Sequence, residues 1–368
     1  MTTESHHPKK KILVAMSGGV DSSVTAALLK EQGHEVGGAT IRTWAPGDCN
    51  DRNSKACCGL TGVEDARDVA ERLDIPYWVF NFEKNFKSFV VDYFAAEYQK
   101  GRTPNPCIAC NEHVKFRHFL VRAHQLGYEY VATGHYASCL HDEERNTYYI
   151  AEGRDAGKDQ SYVLFPLTAD LLPHVLLPLG AFTKAEIRAK ARDLNLKRVM
   201  DKPDSQEICF IPSNDYGTFL DREYPVEGVG EGVVRMTDGR VLGRHQGYYH
   251  FTRGQRRGLG IAHTERLYVV DTDAAKNEVI VGKKEEVLDS VCEVGRMNWF
   301  LKPKEERFHA FVKIRAQHKK APASVLVTGE STVQITFEVA QEAITPGQGA
   351  VLYDGVRVLG GGWIDRAR

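Results

Sequence analysis

Residues Lys11–Ser23 read KILVAMSGGVDSS, and the fold turns on how this stretch is understood. Lys11 to Met16 is a short apolar run suited to a buried strand. Val20 to Gln32 carries apolar residues at helical spacing and is closed by Gly33, a residue type that ends helices. Between the two lies Ser17-Gly18-Gly19-Val20-Asp21-Ser22-Ser23. Two glycines let backbone N–H groups approach an anion, serine hydroxyls add donors, and the helix N-terminus contributes its dipole. No lysine follows at Walker spacing, so the charge that normally meets a γ-phosphate is missing from the loop itself. A plain capped strand-to-helix turn is the alternative reading.

Working outward, apolar runs and helix-period runs keep alternating. A strand fits Glu35 to Ile41, a helix follows the capping box Thr61-Gly-Val-Glu64, and a strand fits Tyr77 to Phe82. Helices are expected through Phe86–Tyr98 and over Val114–Leu126, then a strand at Tyr130–Thr133 and a last helix from the capping box Thr183-Lys-Ala-Glu186. This alternation predicts a doubly wound parallel sheet, an α/β domain over residues 1–212. Past Pro212 the pattern changes to short strands with glycine turns: a small β-rich domain over 213–283, then a β-barrel over 284–368.

The chain has 368 residues, 42% hydrophobic and 26% charged, which suits a folded multidomain protein and excludes collagen-like and disordered classes. A formal charge of −1 excludes a wholesale basic wrapper of nucleic acid, so any RNA contact must use local clusters. Three such clusters stand out: Lys100, Arg102, Lys115, Arg117 and Arg122; Arg244, Arg253, Arg256 and Arg257 with interleaved Tyr248, Tyr249, His250 and Phe251; and Lys313, Arg315, Lys319 and Lys320. No apolar run approaches a membrane span and the start MTTESHHPKK is polar, so a cytoplasmic protein with no membrane partner is expected. Eight cysteines are too sparse for a secreted disulfide scaffold.

The string SGGVDSS in this position resembles the pyrophosphate loop of the N-type ATP pyrophosphatases. Together with Gly101-Arg-Thr-Pro-Asn-Pro-Cys-Ile-Ala-Cys-Asn111, Ala132-Thr-Gly-His-Tyr136, Lys158-Asp-Gln-Ser161, Ser205-Gln-Glu-Ile-Cys-Phe210, Gly254-Gln-Arg-Arg-Gly258, Ile344-Thr-Pro-Gly-Gln348 and Leu359-Gly-Gly-Gly362, the chain resembles the tRNA-specific 2-thiouridylase family nearly end to end. The resemblance implies an ATP-dependent sulfurtransferase that replaces the C2 oxygen of the wobble uridine of lysine, glutamate and glutamine tRNAs. Its cofactors would be ATP with Mg2+, and its partners tRNA and a sulfur-relay protein or cysteine desulfurase. ATP contacts carry over to Ala15, Met16, Ser17, Gly18, Gly19, Val20, Asp21, Ser22, Ile41 and Gly134. RNA contacts carry over to Asn105, Pro106 and Cys107 at the target base, to Lys158, Asp159 and Gln160, and to Arg315 with Ala316, where the family commonly has tyrosine at the second position.

By the same resemblance Cys209 carries a persulfide and Cys110 is the second catalytic cysteine, leaving a Cys110–Cys209 disulfide after transfer. Read from its neighbours alone, Cys209 between Ile208, Phe210 and Ile211 could equally be a small buried apolar residue. Cys107 stands where many family members carry aspartate. It could activate Cys110 in a C-x-x-C pair, be a spectator, or join Cys110 and Cys209 as ligands of a [4Fe–4S] cluster. Cys49, Cys57 and Cys58 could add zinc ligands, although their spacing is irregular, and Cys139 and Cys292 read as packing residues. Two alternatives to thiolation are an AMP-forming ligase acting on a small molecule and an RNA-binding module with a degenerate nucleotide site.

Overall fold

The computed structural model describes residues 8–43, 60–202, 208–211, 215–226 and 229–368; Cys49, Cys57, Cys58, Ser205 and the Pro212 boundary lie outside them. The described helices, in chain order, are α1 (Val20–Glu31), α2 (Leu60–Arg72), α3 (Glu83–Phe86), α4 (Asp92–Gln99), α5 (Pro106–Ala109), α6 (Phe119–Gln125), α7 (Lys184–Asp193) and α8 (Tyr216–Glu223). The chain divides into two compact units, residues 1–89 with 109–212 and residues 90–108 with 213–368.

The first unit is built on a parallel sheet of β1 (Lys11–Ala15), β2 (Glu35–Arg42), β3 (Tyr77–Asn81), β4 (Tyr130–Ala132) and β7 (Val175–Leu176), in the order β3-β2-β1-β4-β7. Ile12, Leu13 and Val14 are fully buried, as a central strand covered on both faces requires. Strand order runs one way from β1 through β2 to β3 and the other way through β4 to β7. The reversal between β1 and β4 opens a crevice at their carboxyl ends, where sheets of this kind bind ligands. Ile12, Val14, Val24, Leu28, Ile187 and Ala191 share one core, so α1 and α7 pack in the same layer.

Helix boundaries follow local chemistry. Gly33, at φ 84°, ends α1: its N–H donates to Lys30 O and the N–H of His34 to Leu29 O, the paired bonds of a Schellman cap. At α7 the capping box forms in full between Thr183 and Glu186. The other expected box does not, because α2 starts at Leu60 and Thr61 lies inside its first turn. The expected helix over 86–98 is α3 and α4 joined through a π-helical stretch, Lys87–Val91, and a second such stretch, Cys110–His118, precedes α6. A hairpin of β5 (Ala137–Asp142) and β6 (Thr147–Glu152), turning at Asn146 with φ 47°, had no counterpart in the sequence reading.

In the second unit β8 (Gly232–Met236), β9 (Val241–His245), β10 (Tyr268–Asp273) and β11 (Glu278–Gly282) form a sheet in the order β10-β11-β8-β9. The β8–β9 and β10–β11 pairs are antiparallel hairpins, and β11 joins them by pairing parallel to β8. Six strands make a closed barrel: β12 (Leu288–Trp299), β13 (Arg307–Lys313), β14 (Ala321–Val327), β15 (Val333–Glu342), β16 (Gly349–Asp354) and β17 (Arg357–Ala367). Their order is β12-β15-β14-β13-β16-β17, and β12 pairs with β17 to close the ring, which removes free sheet edges.

The segment 90–108 is anchored within this unit. Tyr98 stacks on Tyr216 at 4.7 Å between ring centroids, and the hydroxyl of Tyr248 donates to Gln99 O. Thr103 is gripped twice by the Ile344–Gln348 motif, its N–H donating to Pro346 O and its carbonyl accepting from Gln348 Nε2, both at 2.9 Å. Gly347, at φ 93°, must be glycine, since a Cβ there would fall 2.9 Å from the carbonyl oxygen of Thr103.

Candidate nucleotide and sulfur-transfer site

The loop after β1 is closed by its own side chains. Ser22 Oγ accepts from the N–H of Ser17 at 3.1 Å and donates to Gly19 O at 3.2 Å, while Ser23 Oγ donates to Gly19 O at 2.8 Å. Met16, buried beyond Ala15, donates to Ala39 O, and its carbonyl accepts from Thr40 Oγ1, which ties the loop to β2 one residue before Ile41. Gly18 sits at φ 71°, and a Cβ on it would lie 2.2 Å from the carbonyl oxygen of Gly62. The first intrahelical bond of α1 runs from Ser23 N–H to Gly19 O, so the N–H groups of Val20, Asp21 and Ser22 have no acceptor within the helix. Gly134, after β4, keeps that helix end open: a Cβ there would come within 2.9 Å of Ser22 N. Three amides, an open approach and a helix dipole fit a polyphosphate.

Charge arrives from distant parts of the chain. Lys184 Nζ donates to both carboxylate oxygens of Asp21, at 2.8 and 2.7 Å, and the Tyr136 hydroxyl donates to Asp21 Oδ1 at 2.7 Å. Lys202 Nζ donates to Gly18 O at 3.0 Å and pairs with Asp65. The missing Walker lysine is thus answered by two ammonium groups from elsewhere in the unit. Neither lysine is evident from the sequence: Lys184 lies inside the Thr183–Glu186 capping box, which signals a helix start and nothing about a distant loop.

His135, next to Gly134, is fully enclosed and within hydrogen-bond distance of Thr133 Oγ1, and burial, aided by the Lys115 charge, pushes its pKa down to about 3. The folded protein therefore holds a neutral imidazole where the unfolded chain protonates at about 6.5. Stability from this group is full above pH 6.5 and is lost as pH falls from there toward 3, by about 1.4 kcal/mol per unit. Between pH 7 and pH 5, wild type is expected to lose about 2 kcal/mol more than His135→Asn in urea unfolding. Equal losses would contradict the assignment.

Cys209 is exposed while its neighbours Phe210 and Ile211 are buried, so the reading of Cys209 as a small buried apolar residue is overturned. Phe210 packs edge-on against Phe86 of α3 at 5.7 Å. The helical run from α3 to Phe89 also meets the π-helical stretch headed by Cys110: Asn85 Nδ2 lies 3.2 Å from His118 Nε2, and Phe89 stacks on His113 at 4.7 Å. One helical run thus supports both the Cys209 segment and the stretch that begins at Cys110. Cys110 is buried, and beside it Asn111 donates to Val163 O at 3.1 Å. Cys139 and Cys292 behave as packing residues, each thiol pushed up to about 12 by burial.

The remaining expected contacts lie in two places. Within the first unit, Asp159 accepts from the N–H groups of Gly153 and Ser161 and from Ser161 Oγ, Lys158 N–H donates to Asp155 O, and Gln160 Oε1 accepts from Tyr136 N–H. In the second unit Asn105 caps α5, its Oδ1 accepting from Cys107 N–H at 3.1 Å, with Pro106 buried at the first helical position and Cys107 exposed. Arg315 and Ala316 are exposed in the turn after β13.

One expectation is corrected. The aromatic residues of the central basic cluster are core: Tyr248, Tyr249 and Phe251 are 3%, 5% and 8% exposed, and Arg253 Nη2 donates to both carboxylate oxygens of Asp289 at 2.9 Å. That leaves Arg244, Arg256 and Arg257 as its exposed cations, with Arg244 3.5 Å from Glu231. In the first cluster Arg102 is held by Glu97 and Asp365. Among the described residues no group of three or more histidine, cysteine, aspartate or glutamate side chains is gathered for a metal.

A glycine turn at the switch point of a parallel sheet, opening on a helix N-terminus flanked by lysines, defines a nucleotide-binding α/β domain. Family models agree: a tRNA methyl transferase HUP domain matches residues 10–213, a tRNA methyl transferase PRC-barrel domain 217–283, and an aminomethyltransferase β-barrel domain 290–364. The chain is 48% identical over 361 residues to the tRNA-specific 2-thiouridylase MnmA of Carboxydothermus hydrogenoformans, covering 97% of this chain and 98% of that one. It is 47% identical over 367 residues to the protein of the same name from Geobacter metallireducens, covering 98% of each. The chain belongs to the tRNA-specific 2-thiouridylase family.

Proposed function

We propose that this protein makes 2-thiouridine at the wobble position of tRNA, consuming ATP and a protein-bound persulfide. The observation that carries the reading is an exposed Cys209 on a buried footing, in the same unit as a loop shaped for a polyphosphate, in a chain of this family. The small-molecule ligase alternative is not favoured, because identity to the thiouridylases runs over nearly the whole chain.

The chemistry has two halves. The C2 oxygen of the uracil attacks the α-phosphorus of ATP and pyrophosphate leaves, converting a poor leaving group into a phosphate ester. The amides of Val20, Asp21 and Ser22 hold the departing pyrophosphate, and Lys184 beside them adds positive charge. Magnesium, bound to the phosphates, would neutralise further charge. The outer sulfur of the Cys209 persulfide then attacks C2 and AMP departs. Cys110 thiolate attacks Cys209 Sγ, releasing 2-thiouridine and leaving a Cys110–Cys209 disulfide for an external thiol to reduce. In the other order Cys110 first frees sulfide from Cys209 and the sulfide attacks; both orders leave the same disulfide.

Asn105, Pro106 and Cys107 take the flipped base, and Lys158, Asp159, Gln160, Arg315 and Ala316 touch the RNA backbone or its loop. A sulfur-relay protein or a cysteine desulfurase charges Cys209, whose exposure suits a donor's approach. The lysine, glutamate and glutamine tRNAs are the substrates, and the enzyme works in the cytoplasm; among the described residues no helix is long and apolar enough to cross a membrane.

The test is thiolation of unmodified tRNA with ATP, magnesium and a persulfide donor, read by mass spectrometry of nucleosides. The expected result is 2-thiouridine at position 34 with AMP and pyrophosphate in equal amounts. Product formed equally well without ATP would overturn the reading.

A further inference from the structure

Two sets of contacts, both within the first unit, run from the segment 153–161 to Asp21 in the nucleotide loop. The first passes through the buried Tyr136. The N–H of Gln160 donates to Tyr136 O at 2.9 Å, and Gln160 Oε1 accepts from Tyr136 N–H at 3.0 Å, so one residue holds both main-chain polar groups of Tyr136. The Tyr136 hydroxyl in turn donates to Asp21 Oδ1 at 2.7 Å. The second set passes through α7. Asp155 Oδ2 accepts at 2.9 Å from the N–H of Lys184, an amide at the helix start that has no acceptor within the helix, and Arg154 pairs with Glu186 in the same turn. The Lys184 ammonium reaches both oxygens of Asp21 and lies 5.8 Å from the centroid of the Tyr136 ring. Tyr136, Lys184 and Asp21 therefore form one cluster, and the segment 153–161 is fastened to two of its three members.

Closing the segment needs only the main-chain bond between Gln160 and Tyr136. The side-chain bond adds something different. Gln160 is exposed, and with Oε1 committed to Tyr136 its Nε2 group is left to donate to an acceptor from outside. An amide that donates from its nitrogen becomes a better acceptor at its oxygen, so an RNA phosphate or hydroxyl at Nε2 strengthens the hold on Tyr136. What Tyr136 holds matters to the nucleotide. Asp21 stands in the first turn of α1 among the amides suited to a polyphosphate, where an unrestrained carboxylate repels the phosphates. RNA at Gln160 and a polyphosphate at the loop thus favour the same arrangement, which is the condition for each to tighten the other. We propose that Tyr136 is a positioning residue that makes nucleotide binding at the loop responsive to RNA held at Gln160. The proposal rests on the reading of Lys158, Asp159 and Gln160 as an RNA contact. Its consequence is that ATP is held most tightly when a tRNA is present to accept the adenylyl group.

The experiment uses the full chain with magnesium and measures the dissociation constant of α,β-methylene-ATP by calorimetry, with and without saturating unmodified tRNA. In wild type the tRNA is expected to lower that constant at least about fivefold, as coupled sites do. Tyr136→Phe, which removes one hydroxyl, is expected to make the two constants equal. Gln160→Met, which removes both the acceptor for Tyr136 and the donor for RNA, should do the same at saturating tRNA. Circular-dichroism melting of each variant verifies that it is folded. A Tyr136→Phe protein that keeps the wild-type ratio overturns the proposal even if its affinity falls, because a purely structural tie weakens both constants alike. A wild type with equal constants that still makes 2-thiouridine overturns the coupling and leaves the proposed function intact. A wild type that binds no tRNA refutes both.

Discussion

Cys209→Ala is expected to lower 2-thiouridine formation by at least about a thousandfold, the scale on which loss of a covalent participant is felt. tRNA-dependent pyrophosphate release should continue in the same variant. Adenylation needs only ATP and the base, and no atom of Cys209 takes part in it. Cys110→Ala should share the loss of product but differ in what accumulates. With Cys110 absent, nothing displaces the sulfur from Cys209, so tRNA joined to Cys209 through a disulfide is expected on direct attack, and free sulfide fails to form on the other route. Intact-mass analysis under non-reducing conditions distinguishes the two routes. Full activity in either variant would refute persulfide chemistry at these residues.

Lys184→Met should have an effect of similar size on the other half of the reaction. The ammonium is nearly buried and holds both oxygens of Asp21 in the first turn of α1. Removing it leaves a carboxylate facing the incoming phosphates and withdraws a cation from the departing pyrophosphate. Pyrophosphate release is expected to fall about a hundredfold or more, the cost of one electrostatic stabiliser of a transition state. Thiolation should fall with it, in contrast to Cys209→Ala. Lys184→Arg should recover part of the loss, since charge persists with altered geometry. Initial rates of pyrophosphate release over a range of ATP concentrations check this, and an unchanged rate in Lys184→Met would remove Lys184 from the site.

Much of the first unit was legible because its signals are local. A strand, two glycines and a helix start lie within thirteen residues, and the loop needs only their order to form. Gly134 was legible because a residue at the end of β4 falls at the crevice beside β1. The two lysines were not, because Lys184 is 163 residues from Asp21 and Lys202 is 184 from Gly18. Only the packing of α7 beside α1 brings them in. The direction of a side chain was equally hidden. Ile208, Phe210 and Ile211 suggest an apolar setting for Cys209, and the structure buries Phe210 and Ile211 while turning Cys209 outward.

The central aromatic and basic run shows the opposite failure. Tyr248, Tyr249 and Phe251 beside arginines look like a stacking face for RNA, but the same residues make a core when Arg253 finds Asp289 in the barrel. Aromatic residues beside cations are common to both situations, and burial decides between them. The β5–β6 hairpin escaped notice for a related reason: its short strands interrupt a stretch whose rhythm otherwise alternates strand with helix.

The central claim is that sulfur reaches the base through Cys209 and leaves a disulfide with Cys110. Enzyme charged with a 35S persulfide on Cys209 and freed of donor, then mixed with ATP and unmodified tRNA for a single turnover, tests it most directly. The account predicts label in 2-thiouridine, no more than one sulfur per enzyme, and a Cys110–Cys209 disulfide in the protein recovered without reductant. Label that stays on the protein, or product formed while both thiols remain reduced, would contradict it.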